Sequence, residues 1–247
     1  MTKDILFISG TARSGTTAMA NMLNDQSGFL IGVERYNRLF RAGEVTPGHF
    51  APPRFLDIRP GDSHKKGGFP GIGDPGARLS AASVIGDKFP QLYQHYDAIF
   101  ARFPRARHIF MIRNPLSVAE SYQARAQNPR DNWQRDFITA VTDWNQSLAA
   151  VLALTRAQRG QVFIAEYEKV FFEPGEMRRL FVFLNRPFDS TRAQKTFARA
   201  AKLSDKMVPR RDDIRLYVSQ NADWASYGRL CRSAGCPVSR APPAPSP

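Results

Sequence analysis

The sequence predicts a single α/β domain in which a P-loop-like parallel sheet is flanked by helices. Residues 5–8 are an apolar run without alternation, which is typical of a parallel strand covered on both faces. Residues 18–23 then place apolar side chains at helical spacing. Gly10 and Gly15 lie between these two elements and allow a tight turn whose N–H groups point into one concavity. A strand, a glycine loop and a helix in this order indicate a phosphate-binding α/β fold.

Further apolar runs and amphipathic stretches alternate along the chain, which favours a doubly wound parallel sheet. Residues 29–35 are a short apolar segment that ends in a carboxylate and a base. The other predicted strands are residues 83–88, 108–112 and 162–165. The other predicted helices are residues 92–103, Pro115 to about Ala126, a long helix capped by Asp131 and running through Leu152, 174–184 and 190–201.

The chain of 247 residues is long enough for one domain with a sizeable core, which we assign to residues 1–240. Residues 241–247 are rich in proline and are predicted to form a disordered tail. No apolar run approaches the roughly 18 residues that a membrane span needs. Because the first predicted strand begins almost at the N-terminus, we expect no signal peptide and a cytoplasmic protein.

The formal net charge of +13 indicates an anionic partner, such as a nucleotide, a phosphate, an acidic glycan or nucleic acid. The basic residues are spread along the whole chain and no nucleic-acid-binding signature is visible, which favours an enzyme with a polyanionic cofactor. Cys231 and Cys236 have no histidines nearby and cannot form a four-ligand zinc site. Two unpaired thiols and a late disulfide both remain open.

The glycine loop departs from the nucleotide-kinase pattern in one informative place. Gly10 and Gly15 have the P-loop spacing, but Thr16 stands where a P-loop has lysine. The cation lies inside the loop instead, as Arg13. In ATP and GTP enzymes that lysine reaches the β- and γ-phosphates, so its absence argues against ATP or GTP chemistry. The alternative is a glycine-rich turn that binds nothing.

Ligands of doubly wound folds bind at the carboxyl ends of the strands. Here these ends carry Arg13, Lys88, Arg113 and Tyr167. A second feature on this side is the Gly/Pro-rich segment of residues 43–80, which we interpret as an acceptor-side loop because long insertions in compact domains are usually functional. A disordered surface loop is the alternative. The arginines of this segment favour an anionic acceptor, such as a polysaccharide.

Two motifs resemble those of sulfotransferases that use 3′-phosphoadenosine 5′-phosphosulfate. The run from Thr11 to Thr17 (Thr-Ala-Arg-Ser-Gly-Thr-Thr) resembles their 5′-phosphosulfate loop. Arg113 at a strand end, with Ser121 eight residues later, resembles their 3′-phosphate site. Arg125 lies one helical turn beyond Ser121 and is expected on the same face. The resemblance covers roughly residues 4–185 and implies the sulfotransferase and nucleotide-kinase-like fold. The cofactor-binding residues that it implies are Thr11, Ala12, Arg13, Ser14, Gly15, Thr16, Thr17, Arg113, Ser121, Arg125 and Tyr167.

The Arg-Ser-Gly-Thr-Thr form of the 5′-phosphosulfate loop is similar to the loops of bacterial and protein-tyrosine sulfotransferases. In the tyrosine-directed group a glutamate 21 residues after the loop arginine is the proposed base, which corresponds to Glu34 here. An ion pair with Arg35 or another arginine is the alternative role for Glu34. His49 and His64 are weaker candidate bases. Like these relatives, the protein would sulfate a hydroxyl group, of a carbohydrate or of another small or polymeric alcohol.

The resemblance also assigns Lys88 to the sulfate region. Arg13 and Lys88 would stabilise charge on the leaving phosphate during in-line transfer, which needs no metal. The alternatives are a solvated Lys88 and a structural ion pair of Arg113 with Asp143. A basic loop near the adenine is not evident, and its candidates are Lys206, Arg210 and Arg211. Two other function classes remain open, a P-loop-type small-molecule or nucleotide kinase and a non-catalytic polyanion-binding module.

Overall fold

The computed structural model describes residues 3–63, 68–158, 160–204 and 211–234, with the backbone alone at residues 201, 203, 204, 233 and 234. This part of the chain contains one sheet of five parallel strands, which confirms the α/β prediction. The strands are β1 (Asp4–Gly10), β2 (Phe29–Val33), β3 (Val84–Lys88), β4 (Arg107–Ile112) and β5 (Val162–Glu166).

The strand order is β2-β3-β1-β4-β5, so that β1 is central. Residues of β1 alternate between two hydrophobic clusters: Phe7 belongs to one, and Leu6 and Ile8 belong to the other. Helices cover both faces, as the continuous apolar runs predicted. The helices are α1 (Thr16–Asp25), α2 (Asn37–Arg41), α3 (Pro52–Leu56), α4 (Pro75–Ala81), α5 (Tyr96–Arg102), α6 (Pro115–Ala126), α7 (Phe137–Ala157), α8 (Tyr167–Val170), α9 (Pro174–Leu184), α10 (Ser190–Ser204), α11 (Asp212–Asn221) and α12 (Trp224–Ala234).

The register of the sheet brings distant parts of the chain together at its carboxyl edge. Gly10 pairs with Met111, so the loop after β1 lies beside the end of β4. Val33 pairs with Lys88 in the β2–β3 ladder, so Glu34, the next residue, lies beside Lys88. These two pairings position the candidate site.

The predicted start of the long helix is wrong. The helix begins at Phe137, where the Asp136 side chain accepts a hydrogen bond from Thr139 N at 2.9 Å. Asp131 instead binds the Arg125 side chain. The predicted helices after Pro115 and over residues 174–184 are confirmed by α6 and α9, whereas α11 and α12 were not predicted.

The segment of residues 43–80 is also more ordered than its Gly/Pro content suggested. It contains a 3₁₀ turn (Pro47–Phe50), α3 and α4. Phe50, Phe55 and Phe69 are buried in the larger hydrophobic cluster. These aromatic side chains anchor the segment to the domain, so its described part is a folded insertion. His64, Lys65 and Lys66 lie outside the described residues, as does the predicted tail at 241–247.

None of the helices in the described ranges is both long and apolar enough to cross a bilayer. Cys231 carries a free thiol that is partly buried, and burial raises its pKa to about 11. Cys236 lies outside the described residues.

Candidate active site

The loop between β1 and α1 has the geometry of an anion-binding turn. Gly10, Arg13 and Gly15 have positive φ angles of 147°, 72° and 92°. The N-cap residue of α1 is Gly15, which has no side chain to cap the helix, and the first turn of α1 holds no acidic residue. The Ser14 hydroxyl is buried and hydrogen-bonds to no described residue. A buried hydroxyl without a described partner thus lies next to a helix N-terminus, where an anion is stabilised.

Both glycines of the loop are required by close packing, Gly10 against the strand β4 and Gly15 against the helix α8. A Cβ atom at Gly15 would lie 2.4 Å from a ring carbon of Tyr167, and one at Gly10 would lie 2.3 Å from the Met111 carbonyl oxygen. The same Tyr167 ring lies 4.3 Å from the Arg113 guanidinium. The loop, the end of β4 and the start of α8 thus form one packed unit.

The remaining loop residues differ in their exposure. The Thr11 hydroxyl is buried and lies 2.9 Å from Ser147 Oγ of α7. Thr16 is buried at the start of α1, Thr17 is exposed and Ala12 is partly buried. The bond from Thr11 ties the loop to the helix behind it, a contact that sequence spacing did not reveal.

Arg13, Arg113 and Ser121 form a cluster next to this loop. Arg13 Nε donates to Ser121 Oγ at 2.8 Å, and Arg113 Nη1 donates to the Arg13 carbonyl at 3.2 Å. Arg113 Nε is buried and hydrogen-bonds to no described residue. Asp143, the suggested ion-pair partner of Arg113, binds Arg135 at 2.6 Å instead. The cluster brings two predicted binding motifs, about a hundred residues apart in sequence, into contact.

The positive charges in this region repel one another. The pKa of Arg13 is lowered by desolvation and by the nearby charges of Arg125 and Arg113. A bound anion would relieve this repulsion. The structure therefore supports an anion site at the cluster on electrostatic grounds as well as on geometry.

Arg125 has the predicted position on α6 but a partner that was not predicted. Its Nη2 donates to Asp131 Oδ1 at 3.1 Å and its Nε binds the other carboxylate oxygen. The guanidinium also lies 4.4 Å from the Trp133 ring. In this structure Asp131 neutralises Arg125.

Glu34 and Lys88 are in direct contact at the other side of β1. Lys88 Nζ donates to Glu34 Oε1 at 2.7 Å, and the Lys88 side chain is only 2% exposed. Asn37 Nδ2 donates to Glu34 Oε2 at 3.3 Å. The suggestion that Lys88 is solvated is therefore wrong. The suggestion that Glu34 pairs with Arg35 is also wrong, because Arg35 is buried and binds Asp62 at 2.7 Å. Two of the three residues predicted to be catalytic thus form one pair, and the third, Arg13, lies in the cluster on the other side of β1.

Two arginines of the 43–80 segment form ion pairs with acids of the same segment. Arg54 binds Asp62, which also holds Arg35, and Arg59 Nε lies 2.5 Å from Asp57 Oδ2. These pairs neutralise part of the charge of the segment, whereas Arg78 donates to the backbone carbonyls of Asn24 and Gln26.

His49 is a structural residue of this segment. Its Nδ1 accepts a hydrogen bond from the Thr46 N–H at 3.1 Å. Partial burial and the Arg54 charge lower its pKa. The other candidate base, His64, lies outside the described residues, as do Lys206 and Arg210, whereas Arg211 is exposed and binds Asp213.

Asp87 was missed by sequence reasoning. It precedes Lys88 in β3, is fully buried and accepts hydrogen bonds from the backbone N–H groups of Arg35 and Tyr36 at 3.0 and 2.9 Å. The one available signal was an acidic residue inside a buried apolar strand. Among the described residues, no group of three or more His, Cys, Asp or Glu side chains is arranged to hold a metal ion.

Comparison with known proteins gives a family match and a set of similar folds. The model of the family described as "Sulfotransferase family" matches residues 74–190, a little under half of the chain. This range contains Lys88, Arg113, Ser121 and Tyr167. A search of curated protein sequences gives no significant match.

Solved structures resemble this chain over almost its whole length. A sulfotransferase from Alicyclobacillus acidocaldarius has a TM-score of 0.54 and 16% identity, with 97% of this chain and 98% of that chain covered. The sulfotransferase domain of the Synechococcus PCC 7002 olefin synthase has a TM-score of 0.51 and 18% identity, with 97% and 91% covered. The sulfotransferase domain from the curacin biosynthetic pathway has a TM-score of 0.51 and 16% identity, with 89% and 97% covered. At identities this low, the structural similarity establishes a shared fold and nothing more.

Proposed function

We propose that the chain is a sulfotransferase, which transfers a sulfuryl group from 3′-phosphoadenosine 5′-phosphosulfate to an acceptor hydroxyl; the family match over residues 74–190 and the shared fold support this proposal. The observation that carries the proposal is the hydrogen-bonded cluster of Arg13, Arg113 and Ser121 beside the loop after β1. A donor with phosphate groups at both its 5′ and 3′ positions needs two adjacent anion sites. A nucleoside triphosphate does not need the second one.

The buried polar atoms without a described partner fit such a donor. The Ser14 hydroxyl and the N-terminus of α1 would hold the 5′-phosphosulfate, together with Arg13. The buried Arg113 Nε, the Ser121 hydroxyl and Arg125 would hold the 3′-phosphate. Tyr167, which stacks on Arg113, would orient that guanidinium.

The donor supplies an activated sulfuryl group, whose sulfur–oxygen bond to phosphate breaks as a bond to the acceptor oxygen forms. Glu34 takes the proton of the acceptor hydroxyl as general base. Lys88 holds the Glu34 carboxylate in place and presents a positive charge next to the reacting groups. Arg13 and the N–H groups of the loop stabilise the negative charge that develops on the leaving phosphate.

An anionic acceptor retains support from a different pair of arginines. Arg38 and Arg41 lie on α2, which begins three residues after Glu34, and both are exposed. Neither forms an ion pair with an acidic residue in the described ranges; Arg41 donates to the Gln91 side chain at 2.9 Å. Two exposed arginines without an acidic partner among the described residues, on the helix that follows the proposed base, favour an acceptor that carries negative charge, such as an acidic carbohydrate.

The donor is tested by calorimetry with adenosine 3′,5′-bisphosphate, the expected product, and with AMP as the matched control. We expect micromolar binding of the bisphosphate and about 100-fold weaker binding of AMP, which lacks the 3′-phosphate. Equal affinities would refute the second anion site. Turnover of Mg-ATP without turnover of the phosphosulfate donor would favour a kinase instead.

The acceptor is tested with donor that carries labelled sulfur. Neutral alcohols, phenols and acidic oligosaccharides are offered in parallel to the wild type and to an Arg38→Ala/Arg41→Ala variant. We expect label transfer to an acidic acceptor, with a KM that rises about 10-fold in the variant while the KM for the donor stays unchanged.

A further inference from the structure

Asp87 is a fully buried carboxylate whose two oxygens bind the backbone immediately after Glu34. Its Oδ1 accepts from Arg35 N at 3.0 Å and its Oδ2 accepts from Tyr36 N at 2.9 Å. The Arg35 side chain points to Asp62 instead. Asp87 therefore binds the main chain of this turn, whereas the Arg35 guanidinium forms its ion pair with Asp62.

The turn that Asp87 holds has an unusual conformation at Glu34. Glu34 has a φ of 55°, in the left-handed region that non-glycine residues seldom adopt. Its N–H donates to the Lys88 carbonyl at 2.8 Å, and its own carbonyl accepts from Ser63 Oγ at 2.6 Å. A strained residue at a candidate base needs neighbours that hold it in place.

Consecutive residues of β3 supply most of these contacts. Lys88 binds the Glu34 side chain and its N–H, and Asp87 binds the next two N–H groups. The opposing residue of β2 leaves room for this arrangement, because a Cβ atom at Gly32 would lie 2.9 Å from Asp87 Oδ1. The Asp87–Lys88 dipeptide thus holds the candidate base through its side chain and through its backbone.

A carboxylate at this depth is costly for the fold. Burial raises the pKa of Asp87 to about 7, although the two N–H donors act in the opposite direction. An apolar side chain would avoid the cost of burying the charge but would leave two N–H groups unpaired. A costly group whose hydrogen bonds to the described residues all go to the turn after Glu34 points to a role in orienting that turn.

We propose that Asp87 is a positioning residue for sulfuryl transfer, which fixes the left-handed turn at Glu34 so that the Glu34 carboxylate faces Lys88 and the acceptor. The proposal rests on the proposed function. It does not make Asp87 a catalytic residue, because Asp87 acts on the reaction only through Glu34.

The experiment is a double-mutant cycle with Asp87→Asn and Glu34→Gln. Donor turnover is measured as release of adenosine 3′,5′-bisphosphate, with the best acceptor from the screen or with water, alongside calorimetric binding of the bisphosphate. We expect Asp87→Asn to lower kcat at least 10-fold with bisphosphate affinity within 2-fold. In the Glu34→Gln background the same change lowers kcat by less than 2-fold, because its effect passes through Glu34. Equal losses of kcat in both backgrounds would overturn the proposal.

A second measurement does not depend on activity. Amide hydrogen exchange at Arg35 and Tyr36 is expected to speed up at least 10-fold in Asp87→Asn, with exchange in β4 unchanged. Unchanged protection at these two amides would refute the anchoring by itself. If the wild type releases no bisphosphate from the donor, the proposed function fails, while the exchange data still decide whether Asp87 holds the turn.

Discussion

Lys88 Nζ lies 2.7 Å from Glu34 Oε1, although the two residues are 54 positions apart in the chain. The pairing of Val33 with Lys88 across the β2–β3 ladder produces this contact. Both side chains are largely removed from solvent, with 2% and 13% of their surfaces exposed. A carboxylate and an ammonium group are thus held together at the carboxyl edge of the sheet, where the loop after β1 also begins.

Glu34→Gln is expected to lower the rate of sulfuryl transfer by about 100-fold or more, because the amide cannot accept the acceptor proton. The change keeps the shape of the side chain, so calorimetric affinity for adenosine 3′,5′-bisphosphate should stay within 2-fold. Asp57→Asn, which alters an exposed acid of the acceptor-side segment, is the control and should retain full turnover. Wild-type turnover in Glu34→Gln would remove Glu34 from the role of base.

Lys88→Ala is expected to cost both stability and activity. Removing one partner of a buried ion pair leaves the other charge desolvated, which destabilises proteins by about 3 kcal/mol. Urea unfolding measures this loss. Arg192→Ala breaks the exposed Arg192–Asp189 pair and should cost less than about 1 kcal/mol. Equal losses in the two variants would contradict the burial of the Lys88–Glu34 pair.

The parts of the site that depend on local spacing could be predicted from the sequence. Gly10, Gly15 and Arg13 are close in the chain, and Arg113 and Ser121 are fixed by one strand end and one helix. The contact of Glu34 with Lys88 depends instead on strand register, which a single sequence does not specify. The same holds for Asp87, whose partners are backbone N–H groups of the turn that follows β2.

Errors in the predicted elements have similar causes. The segment of residues 43–80 was interpreted as a loop from its glycines and prolines, but Phe50 and Phe55 bury it against the sheet. Asp131 has the chemistry of a helix cap, yet its carboxylate binds Arg125. The helix and loop propensities of the residues do not include either of these competing contacts.

Arg113→Ala is expected to weaken binding of adenosine 3′,5′-bisphosphate by about 30-fold, which corresponds to about 2 kcal/mol. The affinity for AMP should change by less than 3-fold, because AMP has no 3′-phosphate for Arg113 to bind. Calorimetry with both ligands gives the comparison. A parallel loss of affinity for the two nucleotides would place Arg113 elsewhere in the site.

Asp131→Asn is expected to strengthen bisphosphate binding by about 3-fold to 10-fold at low salt, because Arg125 would no longer be neutralised. Asp136→Asn is the matched control, since asparagine is an equally good cap for α7 and the affinity should not change. Titrations at two salt concentrations measure the effect. Weaker binding in Asp131→Asn would show that the Arg125–Asp131 pair supports the nucleotide site.

His108 is expected to make the protein less stable in acid. It is fully buried, lies 2.7 Å from Ser9 Oγ, and desolvation lowers its pKa to about 3. Below about pH 6.5 the unfolded state therefore binds a proton that the folded state does not bind. The free energy of unfolding keeps its full value above pH 6.5 and decreases as the pH falls below it. Between pH 7.5 and 4.5 the loss is about 2 to 3 kcal/mol.

His108→Gln removes the titrating group and should flatten this pH dependence. Urea unfolding gives the free energy of unfolding of wild type and variant at both pH values, and the change with pH is compared between the two proteins. The raised pKa of Asp87 has the opposite effect on stability, but it contributes equally to both proteins and cancels in this comparison. The same pH dependence in both proteins would show that another group is responsible.

The central position of β1 separates the site into two sectors with different chain origins. Residues on the β4 side come from three separate stretches of sequence, whereas Glu34, Asp87, Lys88 and the folded insertion all belong to one continuous stretch, residues 29–89. A continuous stretch can be exchanged between proteins as a single cassette. Chimeras that exchange residues 29–89 as one piece would therefore test whether this stretch alone selects the proposed acceptor.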